Sequence, residues 1–350
     1  MRCYCGLHPL HCIIPPYILE NMASSDDEGV RKAAMQAIDA TSDARATRRA
    51  FQAMPAMAAF AAPAGKKNRL VYDAQRKGMG QLPGKLLRSE GGPATSDPAV
   101  DEAYDYSGTT YDFYSKVFGR NSLDGNGMTL VSSVHLGVNL NNAFWNGQQM
   151  AYGDGDGKAF LRFTKSLDVV GHELTHGVIS HECNLTYRDE SGALNEHFAD
   201  VFGVLLKQWK RKHSAAKADW LVGKDIIGPG STARALRDFG PGKAFENDPL
   251  LGTDPQPKHL KNKYKGSGDN GGVHINSGIP NHAFFLFAKA VGGNAWDKPG
   301  AIWYAAMRQL SSNSQFSDMA SVTRMIAVAW HGAGSTIEKA LINAWKQVGL

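Results

Sequence analysis

The stretch "DVVGHELTHGVI", residues 168–179, places two acids and two histidines in a segment otherwise made of Val, Leu, Ile, Thr and Gly. A buried helix has no use for so many ionisable groups unless each finds a partner, because desolvating one alone is expensive. If the segment is helical, His172 and His176 lie four residues apart and project about 40° from each other on one face. Two neutral imidazoles so placed can hold one zinc ion, each at about 2.0–2.1 Å. Glu173 then lies about 100° round the helix from His172. There it sits beside the open position of the ion, where a carboxylate can take a proton from water.

A third ligand is needed, and "GALNEHFAD" offers one. Glu196 follows His176 after 19 intervening residues, enough for a turn and a returning helix. Asp200 is again four residues on and shares the face of Glu196. Its carboxylate suits the outer N–H of a metal-bound imidazole, which would fix the tautomer of that ring. H-E-x-x-H also occurs by chance in helices whose histidines are merely satisfied. Two further acids arriving on the next helix argue against that ordinary reading.

With those residues in view, "VVGHELTHGV" followed by "YRDESGALNEHFAD" resembles the thermolysin-like neutral metalloproteases. So do "NNAFWNGQQMAYGDGDG" upstream and "DNGGVHINSGIPNHAF" downstream; the four motifs stand in the family's order from about residue 66 to 350. The leader with "IIPPYIL" is similar to that of the protealysin-like subgroup, whose precursors carry a short propeptide. The resemblance implies an α+β, two-lobed fold: a propeptide and linker (1–64), a β-rich lobe ending in the zinc helix (65–180) and a helical lobe (181–350).

The same resemblance implies roles by motif position. His172, His176 and Glu196 would bind one zinc ion, and Glu173 would be the base. Asp200 and Asn195 would orient the two histidines. His274, oriented by Asp269, and Tyr187 would hold the oxyanion, a kind of donor worth about 3–4 kcal/mol in the transition state. Asn142 and the Ala143 carbonyl would bind the substrate main chain and the nascent amine, as an extended peptide adds to an edge strand. Arg237 would bind the carbonyl after the scissile bond. Phe160, Val169 and Leu236 match the apolar pocket for the residue after the cut, which implies cleavage before large hydrophobic residues. The implied partners are polypeptide substrates and the chain's own propeptide, acting as inhibitor or folding aid and removed at the Ala/Pro-rich linker.

The chain departs from the family at its double calcium site. Asp168 and Asp219 remain, but Lys207, Leu221 and Lys224 occupy expected acidic positions. Calcium wants six to eight oxygens, so this set cannot hold it, and the lysines could supply the missing positive charge to Asp168, Asp219 or Asp225. Calcium elsewhere stays open. "YGDGDGKAF" is no EF-hand, since Lys165 stands where that loop needs its bidentate Glu; its glycines indicate a tight hairpin turn.

The elements that must position these residues fall into regions. Residues 1 to about 64 hold one or two polar helices and then "PAMAAFAAPAG", a loose linker. From there to about 165, turn-rich sequence predicts strands and hairpins, interrupted by a helix at "PAVDEAYDYSGTTYDFYSKVFG". Beyond residue 167 the apolar period is helical in "SLDVVGHELTHGVISH", "LNEHFADVFGVLLKQWKRK", "GIPNHAFFLFAKAVG", "KPGAIWYAAMRQL", "FSDMASVTRMIAVAWHG" and "STIEKALINAWKQVG". The 350 residues are 43% hydrophobic and 20% charged, as in globular proteins, and a net charge of +5 with no basic–aromatic interleaving argues against nucleic acid. No apolar run approaches the roughly 20 residues of a membrane span. Cys3, Cys5 and Cys12 crowd the N-terminus and leave Cys183 alone in the body, so no disulfide framework supports it. With His8 and His11 they could in principle bind zinc, but the spacing fits no common structural site and a floppy terminus accounts for them better. The resemblance implies a secreted monomer, yet the leader lacks the features of an ordinary signal, which leaves a cytoplasmic precursor open. A non-catalytic relative and a zinc aminopeptidase remain as rivals; the second would need an acidic anchor for a substrate amine.

Overall fold

The described chain begins just before the β-branched pair Ile13–Ile14 and the prolines that follow it. The computed structural model describes residues 11–52 and 66–350. The linker expected to be cut, and Cys3, Cys5 and His8, lie outside the described residues. Strand β1 (His11–Cys12) leads through Pro15 into α1 (Pro16–Ala23), over "PYILENMA", where no helix was expected, and then into α2 (Glu28–Gln52), the polar helix expected of the leader. Their inward faces bury Ile18, Leu19, Met22, Val30, Ala34 and Ala37 against the rest of the protein.

The next region supplies β2 (Arg69–Asp73), β3 (Lys85–Ser89), α3 (Pro98–Phe118), β4 (Leu130–Val134), β5 (Ala143–Trp145) and β6 (Met150–Tyr152). Together with β1 they form a six-stranded sheet in the order β1-β5-β6-β4-β2-β3. The expectation of hairpins holds for β5–β6 and β2–β3, which pair antiparallel. It fails for β2–β4 and β4–β6, which pair parallel. Between β2 and β4 the 21-residue α3 helps provide the long crossover that parallel pairing requires. "YGDGDG" is a compact loop after β6 and not a strand-to-strand hairpin: the Asp156 carboxylate accepts from the backbone N–H of Lys158, Ala159 and Phe160.

Of the remaining chain, α4 (Leu167–Glu182), α5 (Asp189–Arg211), α7 (Gly278–Val291), α8 (Lys298–Met307), α9 (Phe316–His331) and α10 (Thr336–Gln347) fall in the segments expected to be helical, and α6 (Gly268–Asn276) is added after a mostly irregular stretch over 212–267. A two-stranded ribbon of β7 (Leu221–Val222) and β8 (Arg237–Asp238) interrupts it. This β-rich lobe and helical lobe meet at α4.

α4 is buried from Leu167 to Ile179 and α5 from Ser191 to Gln208. Two helices enclosed on nearly all sides must pack closely, and glycine makes that possible. A Cβ on Gly203 would lie 2.6 Å from the Asp168 carbonyl oxygen, and one on Gly171 would lie 2.4 Å from the Leu206 side chain. The first contact is with backbone and cannot swing aside. Gly203→Ala should therefore push α5 off α4, lowering stability in urea by about 1–3 kcal/mol. A melting curve unchanged from wild type would show that the helices have room to spare.

Candidate active site

The close packing of α4 and α5 sets the histidines of one helix against the acids of the other. His172 Nε2 and His176 Nε2 are 3.1 Å apart, and Glu196 Oε2 and Oε1 lie 3.4 and 3.5 Å from them respectively. All three residues are fully buried, and among the described residues they are the one group of side chains that could hold a metal.

The hydrogen bonds behind the rings fix their chemistry. His172 Nδ1 donates to Asp200 Oδ1 at 2.9 Å, and His176 Nδ1 donates to Asn195 Oδ1 at 2.8 Å. The Asn195 amide is itself oriented, since its Nδ2 donates to the Leu185 carbonyl. With the protons at Nδ1, both Nε2 lone pairs converge on one point, alongside a buried Glu196 Oε2 that lacks a hydrogen bond. Three electron-rich atoms in a dry core repel one another unless a cation sits between them. A tetrahedral ion with ligands near 2.0–2.1 Å would space them by about 3.3 Å, so the donor set fits zinc.

Glu173 points to the sheet side of this centre. Its Oε2 accepts from Trp145 N on β5 at 3.0 Å, while Oε1 has no partner of regular geometry. Burial pushes the Glu173 carboxyl well above its usual range and the neighbouring Glu196 adds to the rise, against the Trp145 N–H.

His274 arrives from α6, whose first turn is irregular: Asp269, Asn270, Gly271 and Gly272 all have positive φ. That left-handed run folds Asp269 back so that its carboxylate accepts from both His274 Nδ1 (2.6 Å) and His274 N (2.8 Å). Burial opposes a charge on His274, but Asp269 and Glu196 outweigh it and push the ring up to about 9. Nε2 is then a donor, and it lies 3.1 Å from the Tyr187 hydroxyl, which donates in turn to Glu196.

Arg237, on β8, is fully enclosed and its Nε donates to Asp200 Oδ1 at 2.9 Å. Burial works against both charges, yet Asp200 holds Arg237 charged and Arg237 with His172 keeps Asp200 well below the usual carboxylate range. Asn281 Nδ2 also donates to Asp200, at 2.9 Å. His197 Nδ1 in turn donates to Asn281 Oδ1, and its Nε2 accepts from Trp303 Nε1. Sequence reasoning missed this chain of supports; the signal was present in "NEHFAD", where a histidine follows the third ligand.

β1 runs antiparallel to β5, with His11 opposite Trp145 and Cys12 opposite Phe144. The leader thus lies along the strand expected to receive substrate. Ile14 N donates to Asn142 Oδ1 at 3.2 Å, and Arg237 Nη1 donates to the Ile13 carbonyl at 3.1 Å. His274 Nε2 donates to the Cys12 carbonyl at 3.1 Å. Ala143 opens β5, and Phe160, Val169 and Leu236 share one buried apolar cluster with Ile13 and Ile14.

With this geometry in place, comparison with known proteins is direct. Residues 26–180 match the family described as thermolysin metallopeptidase, catalytic domain, and residues 183–350 match its alpha-helical domain. The chain belongs to the thermolysin family of zinc-dependent metallopeptidases. It is 44% identical to the Extracellular metalloprotease of Pectobacterium carotovorum subsp. carotovorum, over 98% of this chain and 97% of that one. It is 39% identical to the Thermolysin of Alicyclobacillus acidocaldarius subsp. acidocaldarius, over 80% of this chain and 50% of that protein. A solved structure, the precursor of protealysin from Serratia proteamaculans, superposes with a TM-score of 0.87 at 43% identity, covering 97% of this chain and 99% of that one. The leader's likeness to the protealysin subgroup is thereby borne out, as is the zinc-endopeptidase class.

This member of the family has rebuilt the expected calcium position. Lys207 Nζ donates to Asp168 Oδ2 (2.8 Å) and to the Leu221 carbonyl (2.5 Å), and lies 3.1 Å from Asp219 Oδ1. Burial would raise the Asp168 carboxyl, but Lys207 holds it below its usual range. Lys224 differs from expectation: it is exposed, and Asp225 pairs with Arg211 at 3.0 Å instead. One ammonium stands between the two carboxylates, where a cation would otherwise sit. Calcium should leave the melting temperature of the wild type unchanged, whereas Lys207→Ala should cost about 3–5 kcal/mol by stranding Asp168. A large calcium-dependent upshift in the wild type would contradict this.

Proposed function

We propose that the chain is a precursor of a secreted endopeptidase that cuts polypeptides on the N-terminal side of large hydrophobic residues, and that its leader holds it inactive. The observation that carries this reading is the leader itself, whose backbone meets Asn142, Arg237 and His274 as a peptide substrate would. Residues 1–64 then form the propeptide and linker, 65–180 the β-rich lobe and 181–350 the helical lobe. Secretion is supported by the name of the Pectobacterium relative.

His172, His176 and Glu196 would hold the zinc ion, which when bound supplies Lewis-acid polarisation of the scissile carbonyl and acidifies water. The chain's own residues do the rest. Glu173 takes the proton from the attacking water and returns it to the departing amine. His274, kept charged by Asp269, and Tyr187 donate to the developing oxyanion, a contribution of about 3–4 kcal/mol for one such donor. Asp200 and Asn195 hold the histidine rings in the tautomer that aims Nε2 inward. Asn142 and Arg237 grip the main chain beyond the cut, and the Ala143 carbonyl receives the new amine. Phe160, Val169 and Leu236 form the apolar pocket for the residue after the cut, a role supported by their burial in the same extended apolar core as Ile13.

A library of blocked peptides offered to the leader-free enzyme tests this. Hydrolysis should favour Ile, Leu, Val or Phe after the cut over Asp or Lys by roughly 100-fold or more. His274→Ala should retain that ranking with a lower kcat. Equal cleavage of acidic and apolar sequences would defeat the assignment.

A further inference from the structure

The contacts of the leader run in an order that says more than occupancy. Taken from N- to C-terminus, four consecutive backbone groups each meet a different residue of the site. The Cys12 carbonyl accepts from His274 Nε2, and the Ile13 N–H faces the Glu173 carboxylate without a regular hydrogen bond to it. The Ile13 carbonyl accepts from Arg237 Nη1, and the Ile14 N–H donates to Asn142 Oδ1. That is oxyanion donor, proton carrier, carbonyl clamp and amide acceptor, met in the sequence in which a scissile bond and the residues after it would meet them. A leader lying backwards, or shifted by one residue, would present its carbonyls and amides to the wrong partners. Ile13 and Ile14 are both fully buried, and Ile13 is a large aliphatic residue at the position where the proposed specificity wants one.

Building on the peptidase reading above, we propose that the leader is bound as a substrate and that the Cys12–Ile13 peptide bond is the chain's first self-processing site. The reaction is hydrolysis by one solvent water. The water oxygen bonds to the Cys12 carbonyl carbon, and the bond from that carbon to the Ile13 nitrogen breaks with its electron pair going to nitrogen. Protons from the water reach the nitrogen by way of Glu173, leaving a Cys12 carboxylate and an Ile13 ammonium. His274 and Tyr187 hold the oxygen while charge develops on it.

The leader is also fastened on the far side of the cut. Asn21 Nδ2 donates to the Leu251 carbonyl at 2.9 Å, Lys158 pairs with Asp27, and Asn142 Nδ2 donates to Thr41 Oγ1 at 3.4 Å. These ties keep the bond at the site of its own molecule, so the reaction is intramolecular and its rate is independent of protein concentration. They also hold Ile13 onward in place after the cut. Release of residues 1–12 therefore precedes loss of the rest of the leader.

The experiment follows the zinc-loaded full chain over time by intact mass and N-terminal sequencing, at two concentrations about tenfold apart, beside Glu173→Ala, Ile13→Asp and Ile13→Leu. A species beginning at Ile13 should appear first, with the same first-order rate at both concentrations. It should be absent from Glu173→Ala, slowed roughly 100-fold in Ile13→Asp, and kept in Ile13→Leu, whose cleavage shows that substitution at this position does not itself unfold the chain. In parallel, a trace of an unrelated protease removes the leader and a blocked hydrophobic peptide is offered. If that enzyme cleaves the peptide while every processed species keeps its Cys12–Ile13 bond, self-processing here is overturned and the peptidase reading stands. A rate that rises in proportion to concentration overturns it likewise, since another molecule would then be the cutter. If the leader-free chain cleaves nothing, both readings fall together.

Discussion

Three electron-rich atoms meeting in a buried core are what the rest of this structure answers to. His172, His176 and Glu196 gain nothing from their enclosure except as ligands, because each desolvated group must find compensation elsewhere. The neighbouring architecture reads as the means of holding them together. Glycines let α4 and α5 approach until backbone nearly meets backbone. Asp200 and Asn195 pin the rings from behind. Asp200 is pinned in turn by Arg237 and Asn281, so one carboxylate joins a metal-ligating ring to a residue that grips the leader. One chain of hydrogen bonds thus runs from the metal centre to the peptide groove.

A second constraint follows at the helix start. Asp168 opens α4 as a buried anion, and the family's acidic cluster around it would call for a divalent cation. Here the Lys207 ammonium takes that place, with a carboxylate, a second carboxylate and a backbone carbonyl around it. The substitution puts a covalently attached charge where the resemblance leads one to expect a dissociable ion.

Much of the site was legible in the sequence because local periodicity carries it. Residues four apart on a helix share a face, so His172 with His176 and Glu196 with Asp200 declare themselves, and helix-to-helix closure does the rest. His274 was readable only through the motif around it, since a left-handed run of four residues has no periodicity to detect. The parallel strands were missed for a related reason: turn-rich sequence signals where a chain bends and not which strand it will meet. Least legible was the seat of "CIIPP". Two apolar β-branched residues before prolines suggest extended chain, yet the strand is the preceding His11–Cys12, and its partner lies about 130 residues away on β5 where no local pattern names it. His197, Asn281 and Trp303 belong to the same class, as a support assembled from three separate helices.

The measurement closest to the centre of this account is metal content with thermal unfolding, made on the full chain before and after chelation and beside Glu196→Gln. One zinc per wild-type chain is expected, with a clear fall in melting temperature when it is stripped, and little bound zinc in the variant. A wild-type chain that binds no zinc, or that melts at the same temperature with and without it, would contradict the claim that this core is built around a cation.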